Sequence, residues 1–168
     1  LYGRDHEILE LVNLLIAERI VLFYSPSGAG KTSLIHAALL PELEREEFHV
    51  FPPMRVSLDP PERAIKPPNR YVFSLLLSLE EALPPDRQTP LSELATLTLA
   101  EYMRRREAGR ADTGRVIFVF DQFEEILTAH PTDRAAKAEF FGQVGQVLRD
   151  RWRWALFAMR EEFVAGLD

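Results

Sequence analysis

The chain has 168 residues, 27% of them charged and 46% hydrophobic, and a net charge of −6. That length favours a single domain with a substantial core, and the acidic balance excludes any overall electrostatic drive toward DNA, RNA or anionic lipid. The absence of cysteine excludes disulfide and thiolate chemistry and suits a reducing compartment, with the cytoplasm as the expected location.

In chain order, residues 5–18 ("DHEILELVNLLIAE") place Ile8, Leu11, Val12 and Leu15 on one helical face, with Asp5 and Glu7 at the positive end of the dipole. "RIVLFY" (19–24) is a short apolar run of β-formers and reads as a buried strand. A small-residue loop follows. "TSLIHAALL" then has helical spacing, which the sequence predicts to stop near Pro41. The run "FHVFPPMRVSL" (48–58) is extended, and its paired prolines place it at a sheet edge or a bulge. Residues 59–70 read as a loop, followed by helices over 71–83 and 90–107, so that 59–112 forms a helical and loop insertion between the second and third strands. The third strand is "RVIFVF" (115–120), ending in Asp121. A helix through "DRAAKAEFFGQVGQVLRD" leads to a fourth strand, "WALFAM" (154–159), ending in Arg160. Strands alternating with helices predict an α/β fold, a mainly parallel sheet with helices on both faces. Ligands in such sheets bind at the carboxyl ends of the strands.

The run near 71–83 falls short of the ~20 apolar residues of a membrane span, and no secretory signal opens the chain. Leu1 in place of methionine, with an end just after a helix-like start, leads to the expectation that this is one domain (1–168) of a longer protein. The four histidines, His6, His36, His49 and His130, are scattered without metal-ligand spacing.

"YSPSGAGKTSL" (24–34) carries the chemistry. A strand feeding a tight turn and then a helix N-terminus lets successive backbone N–H groups converge on phosphate oxygens. Gly28 and Gly30 permit positive φ and close backbone approach. Lys31 reaches the β- and γ-phosphates, and Thr32 offers a hydroxyl to Mg²⁺. Ser27, Ala29 and Ser33 complete the cradle. Ser25 stands where the usual pattern begins with glycine; that position serves the turn, which serine tolerates.

"VIFVFDQFEEIL" (116–127) supplies the complement. Asp121 is placed to hold the Mg²⁺ water shell. A group that polarises the attacking water is also needed. Gln122 occupies the residue after the aspartate and is a poor base, so Glu124 or Glu125 is the candidate, with Glu124 slightly favoured. The competing reading makes both solvated acids at a helix start. Arg160 can sense the γ-phosphate; the plainer alternative is a surface arginine paired with Glu161 or Glu162.

"YGRDHEI", "YSPSGAGKTSLIHAALLPEL", "VIFVFDQFEEIL" and "FAMREEFVAGL" together resemble the STAND NTPases (signal-transduction ATPases with numerous domains), in particular the bacterial novel STAND group. The resemblance covers both ends of the chain well and the middle, about 59–112, poorly. It implies an additional-strand, three-layer α-β-α P-loop fold related to the AAA+ class, with "WALFAM" inserted between "RIVLFY" and "RVIFVF". It also implies that Tyr2, Gly3 and Arg4 lie near the adenine, and that a fifth strand and a helical lid are missing here. The implied activity is slow ATP hydrolysis in a switch: ADP holds a closed monomer, and exchange for ATP permits homo-oligomerisation and activation of an attached effector, with sensor and effector domains on the same polypeptide.

Two other readings stay open. The phosphate loop also resembles that of nucleotide and small-molecule kinases, although no Arg-rich lid is visible. A nucleotide-binding scaffold without catalysis is suggested by Gln122. The basic and aromatic runs "RRRE" (104–107) and "RDRWRW" (149–154) sit beside acids in an acidic chain and read as solvated faces and core packing, not as a nucleic-acid surface.

Overall fold

A computed structural model of the chain describes residues 4–26, 30–110 and 114–167. Helix α1 (Asp5–Glu18) buries the four positions its spacing predicts, Ile8, Leu11, Val12 and Leu15. Arg19, with φ of 62°, turns the chain into β1 (Ile20–Ser25). Beyond the phosphate loop come α2 (Lys31–Leu34), a π-helical turn (Ile35–Leu39) and α3 (Leu40–Arg45). The edge strand β2 (His49–Val50) is followed by α4 (Arg70–Glu81), α5 (Leu91–Leu94) and α6 (Leu99–Glu107). Then come β3 (Val116–Phe120), the short α7 (Glu125–Thr128), α8 (Arg134–Leu148), β4 (Arg153–Arg160) and a 3₁₀ segment (Glu161–Leu167).

The sheet order is β1-β4-β3-β2, and each neighbouring pair is parallel. The last strand therefore inserts between the first and third, as the resemblance implies. Parallel strands need crossover helices, and these cover both faces. On β3, Val116, Phe118 and Phe120 join a core with α4, α6 and α8, while Ile117 and Val119 join a second core with α1, α2 and α3. β4 divides likewise, with Trp154, Leu156 and Ala158 on the α1 side and Ala155 and Met159 on the other. The result is three layers. All strands point the same way, so their carboxyl ends share one rim, with Ser25 directly opposite Arg160 in register.

Three expectations about element boundaries are corrected. The helix after the phosphate loop does not stop near Pro41 but runs on to Arg45. The Leu40 N–H bonds back to the Ile35 carbonyl, a widened turn. It sits where the Pro41 ring would otherwise press on the preceding turn. The helix expected over 90–107 is broken, because Thr98 starts α6 with a capping box. Its hydroxyl accepts from the Glu101 N–H (3.2 Å), and the Glu101 carboxylate accepts from the Thr98 N–H (2.8 Å). The extended run 48–58 contributes only His49–Val50 to the regular ladder. Pro52 and Pro53 have no N–H to donate, and pairing with β3 resumes at Met54, whose N–H reaches the Val119 carbonyl at 2.7 Å.

Between β2 and β3, Asn69 caps α4 by accepting from the Tyr71 and Val72 N–H groups. Ser74 and Ser78 of α4 bond the backbone of Arg55 and Leu58, which fixes the path of the chain leaving the sheet rim. Among the described residues, no helix is long and apolar enough to cross a membrane.

Candidate nucleotide site

β1 delivers the chain to the rim at Ser25. Gly30 then opens α2 with φ of 72°, a left-handed conformation that favours glycine. Ser27, Gly28 and Ala29, assigned to the phosphate cradle, lie outside the described residues, as do Tyr2 and Gly3. Lys31, the first residue of α2, turns back over the loop. Its ammonium donates to the Ser25 carbonyl (2.9 Å), the Ser25 hydroxyl (3.1 Å) and the Pro26 carbonyl (3.4 Å). Ser25 thus does more than tolerate the turn, since its side chain is an acceptor for the lysine.

One residue further on, the Thr32 hydroxyl donates to the Asp121 carboxylate, 3.1 Å from Oδ2 and 3.3 Å from Oδ1. The two residues are 89 positions apart in sequence. Asp121 is only 5% exposed. Its backbone N–H is held by the Met54 carbonyl, and its Oδ1 accepts from the Gln122 N–H at 2.9 Å. Gln122 takes a left-handed φ of 51°, and the Phe123 N–H bonds the Ala158 carbonyl of β4. This turn directs the next two side chains toward the cleft. A hydroxyl and a carboxylate are hard oxygen donors that fit Mg²⁺, which keeps several waters and binds few protein ligands. Among the described residues, no cluster of three or more His, Asp or Glu offers a different metal site.

The acids after Asp121 are not free helix-start charges. Glu124 is 6% exposed, and its Oε1 accepts from the Arg160 Nε at 3.0 Å. Glu125 pairs with Arg55, on the chain leaving β2. The second oxygen of each carboxylate is buried without a partner. Arg160 also lies 3.7 Å from Glu162 and stacks over the Phe163 ring, so the surface pairing weighed above exists, but the shorter contact is to buried Glu124. Arg55 was not singled out from the sequence. Its position just past β2, on the rim where ligands bind, was the available signal.

These groups converge. Gly30, Lys31, Thr32 and Ser33 from the phosphate-loop side face Asp121, Gln122, Glu124, Glu125 and Arg160 across an open cleft of about 340 Å³. Arg4 is not among the residues lining it; it precedes α1 and lies 3.8 Å from Glu7.

A parallel three-layer sheet whose first strand ends in a glycine–lysine–threonine turn, opposite a strand-end aspartate, defines a P-loop NTPase fold. The chain belongs to the Novel STAND NTPase 1 family, whose model matches residues 1–168. No curated protein matches it.

Proposed function

We propose that this domain binds ATP and ADP with Mg²⁺ in the rim cleft, hydrolyses ATP slowly, and acts as the nucleotide switch of a larger signalling polypeptide. In that role it joins sensor and effector domains and homo-oligomerises in the ATP state. The observation that carries the reading is the Thr32–Asp121 contact, which brings the phosphate-loop hydroxyl and the strand-end carboxylate onto one point. When bound there, Mg²⁺ would neutralise phosphate charge.

The chain's own residues would act as follows. Lys31 would exchange its Ser25 and Pro26 acceptors for phosphate oxygens. Arg160, at the end of β4, would engage the γ-phosphate. That move would loosen its hold on Glu124, whose buried carboxylate would then accept a proton from the attacking water. Glu125, tied to Arg55, is the weaker candidate for this step.

A second reading has specific support. Both glutamates are held by arginines, and Gln122 occupies the residue after the aspartate, which suits a nucleotide-binding scaffold without turnover. Titrating a fluorescent ATP analogue into the wild type and Lys31→Ala tests the shared premise. The expected loss is about tenfold or more, since the lysine–phosphate contact is charge-assisted. Equal affinities would remove the site. Turnover that depends on an added acceptor such as AMP would replace the switch with a kinase.

A further inference from the structure

A second cleft, of about 390 Å³, lies between the proline-rich loop 59–68, the start of α4 and the chain leaving α7. Its floor is apolar, with Val56, Ile65 and Pro67 contributing. Lys66, Arg70 and His130 stand on its wall, against the single acid Asp59. The Arg70 guanidinium donates to the His130 ring, and His130 holds a left-handed φ of 45°, a strained conformation for a non-glycine residue. Tyr71 lines the same cleft and is 0% exposed. Burial raises the Tyr71 pKa, and the Asp133 carboxylate adds to that by its charge and by accepting a hydrogen bond from the hydroxyl.

We propose that this cleft is a binding site for a small oxyanion on a compact apolar body, a carboxylate or phosphate monoester, with its charge between Lys66 and Arg70 and its body on the Val56–Ile65–Pro67 floor. The site would also influence the nucleotide cleft, a part that rests on the nucleotide reading above. Two segments run from one cleft to the other. Residues 54–58 pass from the Asp121 contact at Met54, through Arg55 and its Glu125 partner, to Val56 on the second floor. Residues 125–130 pass from Glu125 and Thr128 in the first cleft to Ala129 and His130 in the second. A ligand that shifts either segment bears on the Arg55–Glu125 pair, and the coupling is reciprocal by thermodynamic linkage.

The test titrates benzoate and phenyl phosphate separately into the full chain, followed by ligand-observed NMR and calorimetry. Saturable binding of at least one probe is expected. The double variant Lys66→Gln, Arg70→Gln should weaken it about tenfold or more. Lys31→Ala should leave it unchanged, which separates this site from the nucleotide cleft. Failure of both probes to saturate overturns the proposal. So does binding that Lys31→Ala abolishes, or binding indifferent to the Lys66 and Arg70 changes. In parallel, saturating probe should shift the affinity for a fluorescent ATP analogue at least twofold, and Arg55→Gln should erase that shift. Probe binding with no shift in a nucleotide-competent chain overturns the coupling. A chain that binds probe but no nucleotide overturns the nucleotide reading and leaves the second site standing.

Discussion

Lys31 and Ser25 show how one atypical residue alters a phosphate loop. Glycine at position 25 would leave Lys31 only backbone carbonyls, whereas the serine adds a hydroxyl acceptor at 3.1 Å. In the proposed function that hydroxyl would compete with phosphate oxygens for the ammonium. Ser25→Gly is therefore expected to tighten ATP-analogue binding by about two- to fivefold, the equivalent of about one modest hydrogen bond. An unchanged or weaker affinity in a fluorescence titration would show that the hydroxyl does not compete. The two glutamates differ in the same local way. Glu124 is buried against Arg160, which the proposed function moves to the γ-phosphate, while Glu125 is paired with Arg55. Glu124→Gln should lower turnover by about a hundredfold or more, the usual scale of general-base loss, with affinity retained. Glu125→Gln should cost far less. Steady-state phosphate release distinguishes them, and the reverse order would reassign the base.

At the scale of elements, two of the helices between β2 and β3, α4 and α6, begin at side-chain caps. Thr98 ends what would otherwise read as one helix and begins α6. Thr98→Ala should destabilise the domain by about 1 kcal/mol in a denaturant titration, the typical cost of an N-cap. Hydrogen bonds from Thr98, first through its backbone N–H, hold the Glu101 pKa below its ordinary value. A carboxylate depressed in the folded state adds stability above its unfolded pKa and loses it as pH falls through the lower folded one. The difference between wild type and Glu101→Ala should therefore shrink in acid below the ordinary carboxylate range. A difference that stays constant with pH would remove the carboxylate from the cap. The π-helical turn before Pro41 makes the same point, because a proline that ends most helices is accommodated here by widening one turn.

For the whole molecule, β3 is the common wall of both cores. Every one of its residues is buried, alternately toward α1 and toward α4 and α8. Phe118 is stacked on Phe51 with ring centroids 5.5 Å apart. Phe118→Ala should cost about 3–5 kcal/mol, a transfer loss plus a cavity. That is a large share of a typical domain's stability. Because the strand joins both layers, tryptophan fluorescence, which includes Trp154 in the opposite core, and far-UV circular dichroism should lose structure at one shared, lowered midpoint. Two separate transitions would mean that the layers unfold independently.

The sequence by itself determined the parts whose physics is local. Apolar runs bounded by turn residues marked the strands, and the i, i+3, i+4 spacing marked α1. Glycine beside lysine and threonine at a strand end marked the phosphate loop. The inserted position of β4 came from resemblance alone, since periodicity says nothing about lateral order. Tertiary structure decided the pairings. Thr32 meets Asp121 across 89 residues, Arg55 meets Glu125 across 70, and Arg160 meets Glu124 across 36. A charged side chain carries no sign of its partner, because its contacts are set by which strands lie side by side and where their carboxyl ends fall. Burial of Glu124 and the cleft beneath the proline-rich loop arise from that same packing, which places on one rim residues that the chain itself keeps far apart.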